Sequence, residues 1–400
     1  MRSLFSVKTF SGFGPTRVHP PEFSPLLHQI RSKKELKLRS EVQKHCPRIP
    51  GVYGMLDSQG ALIYIGKAKC LRSRLMSYFR PKSREDKAGK IIRHTRSLVW
   101  ESTPNEFAAL VRELELIQRY RPRYNVVGQP GRQRYCYIAL GRAPAPYVYV
   151  TREPTGKEVA CFGPLRGQGQ ARDAVRRLND AFGLRDCSQK QSLHFSDQKD
   201  LFETERTPGC LRYEIGSCSG GCVGGCSRGG YATQVRAVKA FLDGSKVELL
   251  ETIQRQMQEA AIALHYERAL ALRDKHQLLQ WLVDRLTWLR HARQEQSFIY
   301  PITGVDEQTI WYLIHRGKVQ AAIYEPFDEA TSKAAQEMIH QVFKDVPNRG
   351  EMIPKNQVDT VLLVASWLRK YPTERDHLLT RKQALGLCQE SLPKKCEGID

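Results

Sequence analysis

Between Gly51 and Asn125 the chain carries Tyr53, Tyr64, Lys67, Arg74, Tyr78, Glu113 and Asn125, a spaced set of phenols, cations, one carboxylate and one amide that packing alone does not explain. Two apolar runs, 52–56 and 61–65, flank Asp57-Ser58-Gln59-Gly60 and predict a β-hairpin. Counting back from that loop puts Tyr53 opposite Tyr64, with both phenols on one face and their Cβ atoms about 5 Å apart. A basic helical stretch follows, in which eleven Lys or Arg between Lys67 and Arg96 face only Glu85 and Asp86. Leu71, Leu75, Met76 and Phe79 form its apolar stripe, and Arg74 and Tyr78, four apart, share another face. Thr103-Pro104-Asn105-Glu106 predicts a helix start with Thr103 as N-cap, Pro104 at the first helical position and Glu106 closing a capping box. In that helix Phe107, Leu110, Leu114 and Ile117 form the buried stripe, Glu113 lies at its edge, and Glu115 points away. A carboxylate beside a core face needs a cation or a proton. Mg²⁺ suits it, because that ion favours one or two carboxylates together with waters and phosphate oxygens.

Sixty-three basic against forty-two acidic residues give a net charge of +21, which favours a nucleic-acid partner through counterion release. No stretch approaches the roughly 18 apolar residues of a membrane span. The length predicts about two to four domains. Of eleven cysteines, Cys187, Cys210, Cys218, Cys222 and Cys226 crowd into forty residues beside Gly220-Gly221 and Gly224-Gly225. Such usage is too sparse for a disulfide scaffold and points to a metal held by thiolates in a reducing compartment. Zinc and an iron–sulfur cluster both meet that description, and spacing alone does not choose.

Tyr53, Tyr64-Ile65-Gly66-Lys67, Arg74, Tyr78, Glu113 and Arg121-Pro122-Arg123-Tyr124-Asn125 resemble a GIY-YIG nuclease domain. The surrounding Ile49-Pro50-Gly51-Val52-Tyr53, Leu71-Arg72-Ser73-Arg74-Leu75 and Ser77-Tyr78-Phe79 narrow the resemblance to the UvrC family, the incising component of the UvrABC excision-repair nuclease. The resemblance implies Mg²⁺ (or Mn²⁺) on Glu113, Tyr64 as general base helped by Lys67, Arg74 clamping the phosphate, Tyr53 and Tyr78 positioning water and substrate, and Asn125 fixing the site from behind. Lys67, Lys69, Arg72, Arg74, Arg80 and Lys82 would contact double-stranded, damaged DNA.

The resemblance continues downstream. Arg185-Asp186-Cys187, Pro208-Gly209-Cys210 and Ser217-Cys218 with Cys222 are similar to the family's cysteine-rich segment. This implies a [4Fe–4S] cluster on Cys187, Cys210, Cys218 and Cys222, with zinc as the alternative. The insert between Cys187 and Cys210 is long for the family, and Cys226 is a fifth candidate. Leu264-His265-Tyr266-Glu267-Arg268-Ala269 resembles a UVR motif, which implies a helical hairpin meeting UvrB, the helicase-like damage loader of the excinuclease.

These readings predict an α+β multidomain protein. Its parts would be a flexible basic N-terminal arm (1–45), a small GIY-YIG α/β nuclease domain (46–130), an α/β bridge with the cysteine-cluster domain (131–235), a UVR-like helical hairpin (236–294) and a C-terminal α+β segment (295–400). Asp306, Asp328, Asp345 and Asp359 rebuild no second nuclease site, so the chain would be a shortened form lacking the RNase H-like and helix–hairpin–helix part. The expected function is a magnesium-dependent endonuclease of nucleotide excision repair, cytoplasmic and nucleoid-associated, making a single 3′ incision with UvrB. Cleavage of branched or mobile-element DNA and a non-catalytic adaptor role are the alternatives.

Overall fold

The structure, a computed structural model, describes residues 10–80, 86–126, 128–129, 135–188, 190–198, 210–294, 296–344 and 357–390. They fall into two compact units, one drawing on Met1–Gln133, Ala292–Arg349 and Asn356–Asp400, the other on Arg134–His291 and Gly350–Lys355.

The first unit opens with β1 (Leu27–Arg31), α1 (Glu35–His45), β2 (Gly51–Leu56), β3 (Leu62–Ala68), α2 (Leu71–Met76), α3 (Lys87–His94), β4 (Ser97–Ser102) and α4 (Glu106–Tyr120). Its antiparallel sheet runs β1-β4-β2-β3. One face buries Tyr53, Met55 and Trp100 with Leu38 and Val42 of α1 and Leu71 and Leu75 of α2. The other buries Val52, Ile65 and Val99 against Leu116 and Ile117 of α4.

Three expectations are corrected here. From residue 10 onward the arm is part of the fold: β1 pairs along its whole length with β4, and Phe13 is fully buried. Its anchors are backbone groups held by distant side chains, which leave no period in the sequence. The hairpin register places Tyr53 opposite Gly66 and Tyr64 opposite Met55, because the pairing starts from Leu56 opposite Leu62 rather than Ala61 and an irregularity between Met55 and Leu56 adds a second one-residue shift. The two phenols are therefore diagonal neighbours on one face. Lastly, the cap of α4 is Asn105, whose Oδ1 accepts from Ala108 N at 2.9 Å; Thr103 lies outside the helix and donates to the Asn105 carbonyl.

The second unit holds β5 (Cys136–Leu140), β6 (Val148–Thr151), β7 (Ala160–Leu165), α5 (Gln168–Ala181), α6 (Leu211–Glu214), α7 (Arg228–Leu242), α8 (Glu248–Ile262) and most of α9 (Tyr266–Gln294). The sheet order is β6-β5-β7, so the bridge has a third strand that no strong alternation in the sequence announces. Asn179 of α5 bonds both the amide and the carbonyl of Val148, fastening helix to sheet. The boundary expected between 235 and 236 falls inside α7. The turn between α8 and α9 holds Leu264 in the left-handed region at φ 61° and exposes Ile262, Leu264 and Tyr266.

The chain then returns to the first unit with β8 (Phe298–Thr303), β9 (Thr309–His315), β10 (Lys318–Tyr324), α10 (Glu329–Val342), α11 (Val358–Lys370) and α12 (Arg381–Glu390). Arg316 and Gly317 at positive φ make the β9–β10 hairpin turn. Alternation along the strands sends Ile299, Trp311 and Leu313 toward α10 and α12, and Tyr300, Tyr312 and Ile314 toward α11. That second set shares a core with Phe107, Ala108 and Val111 of α4. The C-terminal segment expected to stand apart is thus packed on the nuclease-like part.

Candidate active site

Three phenols, a guanidinium and a carboxylate meet around β2, β3, α2 and α4. The rings of Tyr53, Tyr64 and Tyr78 lie 6.0–6.3 Å from one another by centroid. The Tyr53 and Tyr78 hydroxyls share a 2.9 Å hydrogen bond, and Arg74 donates from Nε to the Tyr53 hydroxyl at 3.2 Å. The α2 helix stops at Met76 and continues as a 3₁₀ turn over Ser77–Phe79, which seats Tyr78 against the sheet. Gly66 has a specific role: the Tyr53 phenol lies across it, and a Cβ at that position would overlap the ring.

Glu113 reaches the end of β3, where Oε1 accepts from the Lys67 amide at 3.1 Å. Burial pushes its carboxyl above the usual range, while Lys67 and Arg74 pull it down. Asn125 acts like one more strand residue on the open edge of β3, accepting from Ile65 N at 2.9 Å and donating to Ile65 O at 2.8 Å. The Tyr64 phenol is pushed up by burial first, then by Tyr78 and Glu113, against the pull of Arg74. Burial likewise raises Tyr53 and Tyr78. The Lys67 charge acts on Glu113, and its ammonium lies 3.8 Å from Glu106 Oε1.

Two neighbours are not nominated by the sequence. Glu106 is seven residues before Glu113 and so shares its helix face, a spacing that could have flagged it. Lys87 of α3 places its ammonium 5.9 Å from the Tyr64 ring, within cation–π range, but nothing local marks it among so many cations. Of the remaining basic candidates, Lys69, Arg74 and Arg80 are exposed, Arg72 is half-buried and donates from Nε to the Cys46 carbonyl, and Lys82 lies outside the described residues. Glu115 does not point away: it accepts from Arg112 and from the Thr16 hydroxyl.

Behind the site runs an ion pair that the residue pattern does not reveal. Arg112 is fully buried, and its guanidinium donates to Glu101 (2.9 and 3.5 Å), Gly14 O (2.6 Å), Pro15 O (3.1 Å) and Glu115 (3.3 Å). Glu101 Oε2 also accepts from Phe13 N at 2.9 Å, so the pair fastens the N-terminal segment to β4 and α4.

In the second unit, Cys187, Cys210, Cys218 and Cys222 line one cavity of about 70 Å³, together with Arg185, Asp186, Tyr213 and Tyr231. Cys226 lies outside that lining. Gly220, at φ +69°, gives its Cβ space to the Tyr213 ring, which lets the loop close over the cavity. Burial and the neighbouring thiols push Cys218 and Cys222 up, so a cationic group among them would hold them as thiolates. Among the described residues no three His, Cys, Asp or Glu side chains close on a single-ion position.

A UvrC-like GIY-YIG domain model matches residues 49–126, a UvrC/Cho excinuclease middle-domain model matches 135–241, and a UvrB/UvrC motif matches 248–280. UvrABC system protein C of Shewanella sediminis is 34% identical over 236 residues, which is 59% of this chain and 37% of that protein. Its counterpart in Agrobacterium fabrum is 32% identical over 289 residues, 72% of this chain and 39% of that protein. The chain thus matches less than half the length of these relatives. The magnesium-bound GIY-YIG endonuclease domain of Thermotoga maritima UvrC is 40% identical, covers 22% of this chain and 97% of that one, and superposes with a TM-score of 0.21. With three matches in one order over more than half of its residues, the chain belongs to the UvrC/Cho excinuclease family.

Proposed function

We propose that this protein is a metal-dependent DNA endonuclease of nucleotide excision repair that makes one incision, on the 3′ side of a lesion, in concert with UvrB. The observation that carries this reading is the convergence of Tyr53, Tyr64, Tyr78 and Arg74 beside the buried Glu113. In this reading Glu113 is the metal ligand: its carboxylate is desolvated, fixed by the Lys67 amide, and flanked by phenols rather than by a second acid. Mg²⁺ there would supply Lewis acidity at the scissile phosphate and offset the Glu113 charge that, after burial and Tyr78, helps hold the Tyr64 phenol up. With its own proton lost to solvent, the Tyr64 phenolate would accept the proton of the attacking water at Oη. Arg74 binds a phosphate oxygen while Tyr53 and Tyr78 hold its guanidinium and one another in place. Asn125 keeps β3 straight beneath Tyr64. Exposed Lys69 and Arg80, with a chain charge of +21, supply affinity for duplex phosphates and support a place beside the nucleoid.

The exposed Ile262, Leu264, Tyr266 and Leu270 at the α8–α9 turn support an apolar contact with UvrB. No helix among the described residues is long and apolar enough to cross a membrane. Supercoiled plasmid and a doubly end-labelled duplex carrying one bulky lesion test the function. With UvrB and Mg²⁺, the duplex should be cut once, 3′ of the lesion. Cutting of branched DNA without UvrB would favour a recombination-type nuclease, and no cutting at all would favour an adaptor.

For the cysteine cavity we propose a [4Fe–4S] cluster on Cys187, Cys210, Cys218 and Cys222, held as thiolates. Protein purified without oxygen should be brown and carry about four iron atoms per chain. Cys218→Ser should lose that iron. Colourless, zinc-loaded and active protein would overturn the proposal.

A further inference from the structure

The first turn of α4 is held from outside the family-matched nuclease segment. Asn105 uses both ends of its amide: Oδ1 caps Ala108 N, and Nδ2 donates to the Tyr312 hydroxyl of β9 at 3.0 Å. Phe107 packs edge-on against Tyr300 and Tyr312, with centroids at 5.2 and 5.1 Å, and lies 5.5 Å from Trp367 of α11. Val305 N donates to Pro104 O at 2.8 Å, just before the cap. Trp367 Nε1 donates in turn to the Tyr300 hydroxyl, which donates to Glu374, so the aromatic platform is itself pinned. Asn105 and Tyr312 are both buried.

Glu113 lies eight residues beyond Asn105 on the same helix, about 12 Å along its axis. A helix is stiff over two turns, so the rotation and height of its first turn set the position of the later carboxylate. Reactive geometry tolerates little drift: an error near 1 Å costs on the order of a hundredfold in rate.

We propose that Tyr312 is a positioning residue for Glu113, and that the β8–β10 sheet with α11 serves the nuclease site by fixing the first turn of α4. The proposal rests on reading Glu113 as the metal ligand. It gives residues 297–390 a task in catalysis although they supply no group that touches substrate.

The full chain is compared with Tyr312→Phe, which keeps the ring, with Asn105→Ser, which keeps a capping oxygen, and with the double variant. Mn²⁺ affinity is read by EPR titration, with Glu113→Gln as the blank, and kcat and KM by duplex nicking. Each single variant should bind Mn²⁺ roughly tenfold more weakly and lose kcat in proportion, with KM for DNA unchanged. The double variant should be no worse than either, because one bond is lost in all three. Parental Mn²⁺ affinity and kcat in Tyr312→Phe, whatever its melting temperature, would overturn the positioning alone. Two losses that add, or a change confined to KM, would do the same. A parent protein whose Mn²⁺ titration matches the Glu113→Gln blank would refute the ligand reading itself, and the positioning with it.

Discussion

Glu113→Gln should reduce Mg²⁺-dependent nicking by at least about a thousandfold and at the same time make the metal-free protein more stable at neutral pH. The first effect follows from removing the carboxylate proposed to hold the ion that offsets charge in the transition state, where such stabilisation is worth about 4 kcal/mol. The second follows from burial, which raises the folded-state pKa of Glu113. A raised carboxyl favours the folded state while it is protonated. That contribution is complete below the unfolded pKa and disappears as pH rises through the folded one, above which the buried carboxylate is charged. Gln carries no such charge. Melting in EDTA should therefore show the variant ahead at neutral pH, with its advantage shrinking toward acid. Parental cleavage by the variant would remove Glu113 from the mechanism, and a less stable variant in EDTA would contradict the burial account.

Arg112→Met should cost about 3–5 kcal/mol of stability, the usual consequence of leaving one member of a buried ion pair alone. The guanidinium has all its donors engaged, and its loss would strand Glu101 together with the Gly14 carbonyl, while Pro15 O keeps a bond from Arg119. Denaturant unfolding checks this. Combining Arg112→Met with Glu101→Leu should recover part of the loss, because the stranded charge is gone. The recovery should stay incomplete, since Phe13 N also uses Glu101. If the single variant unfolds at the parental midpoint, the N-terminal segment is not held by this pair.

Local patterns in the sequence are readable; distant ties are not. Strands β9 and β10 and helix α11 lie where period and turn chemistry place them, since Arg316-Gly317 and the apolar alternation are local signals. The tyrosines, Arg74 and Glu113 are legible because the motif fixes their order. Their detailed arrangement is not, because two one-residue shifts in the hairpin turn facing phenols into diagonal ones. The local pattern nominates Thr103 as the cap, and the use of Asn105 instead goes with its second bond to Tyr312, which no local rule reveals. Residues 10–45 look unstructured for the same reason: Phe13 is held by Arg119 and Tyr120, about a hundred positions away. Lys67 shows the same limit, since its amide and its charge meet Glu113 in space, a contact that no local rule reveals.

The bond between Asn105 and Tyr312 joins positions 207 apart, with Arg134–His291 of the second unit made between them. During translation the Phe107 side of α4 therefore leaves the ribosome well before the sheet that covers it. At about 5–20 residues per second the wait is roughly ten to forty seconds. For that interval a greasy helix face has no native cover, so a nascent nuclease lobe would be a client for chaperones before it could become an enzyme.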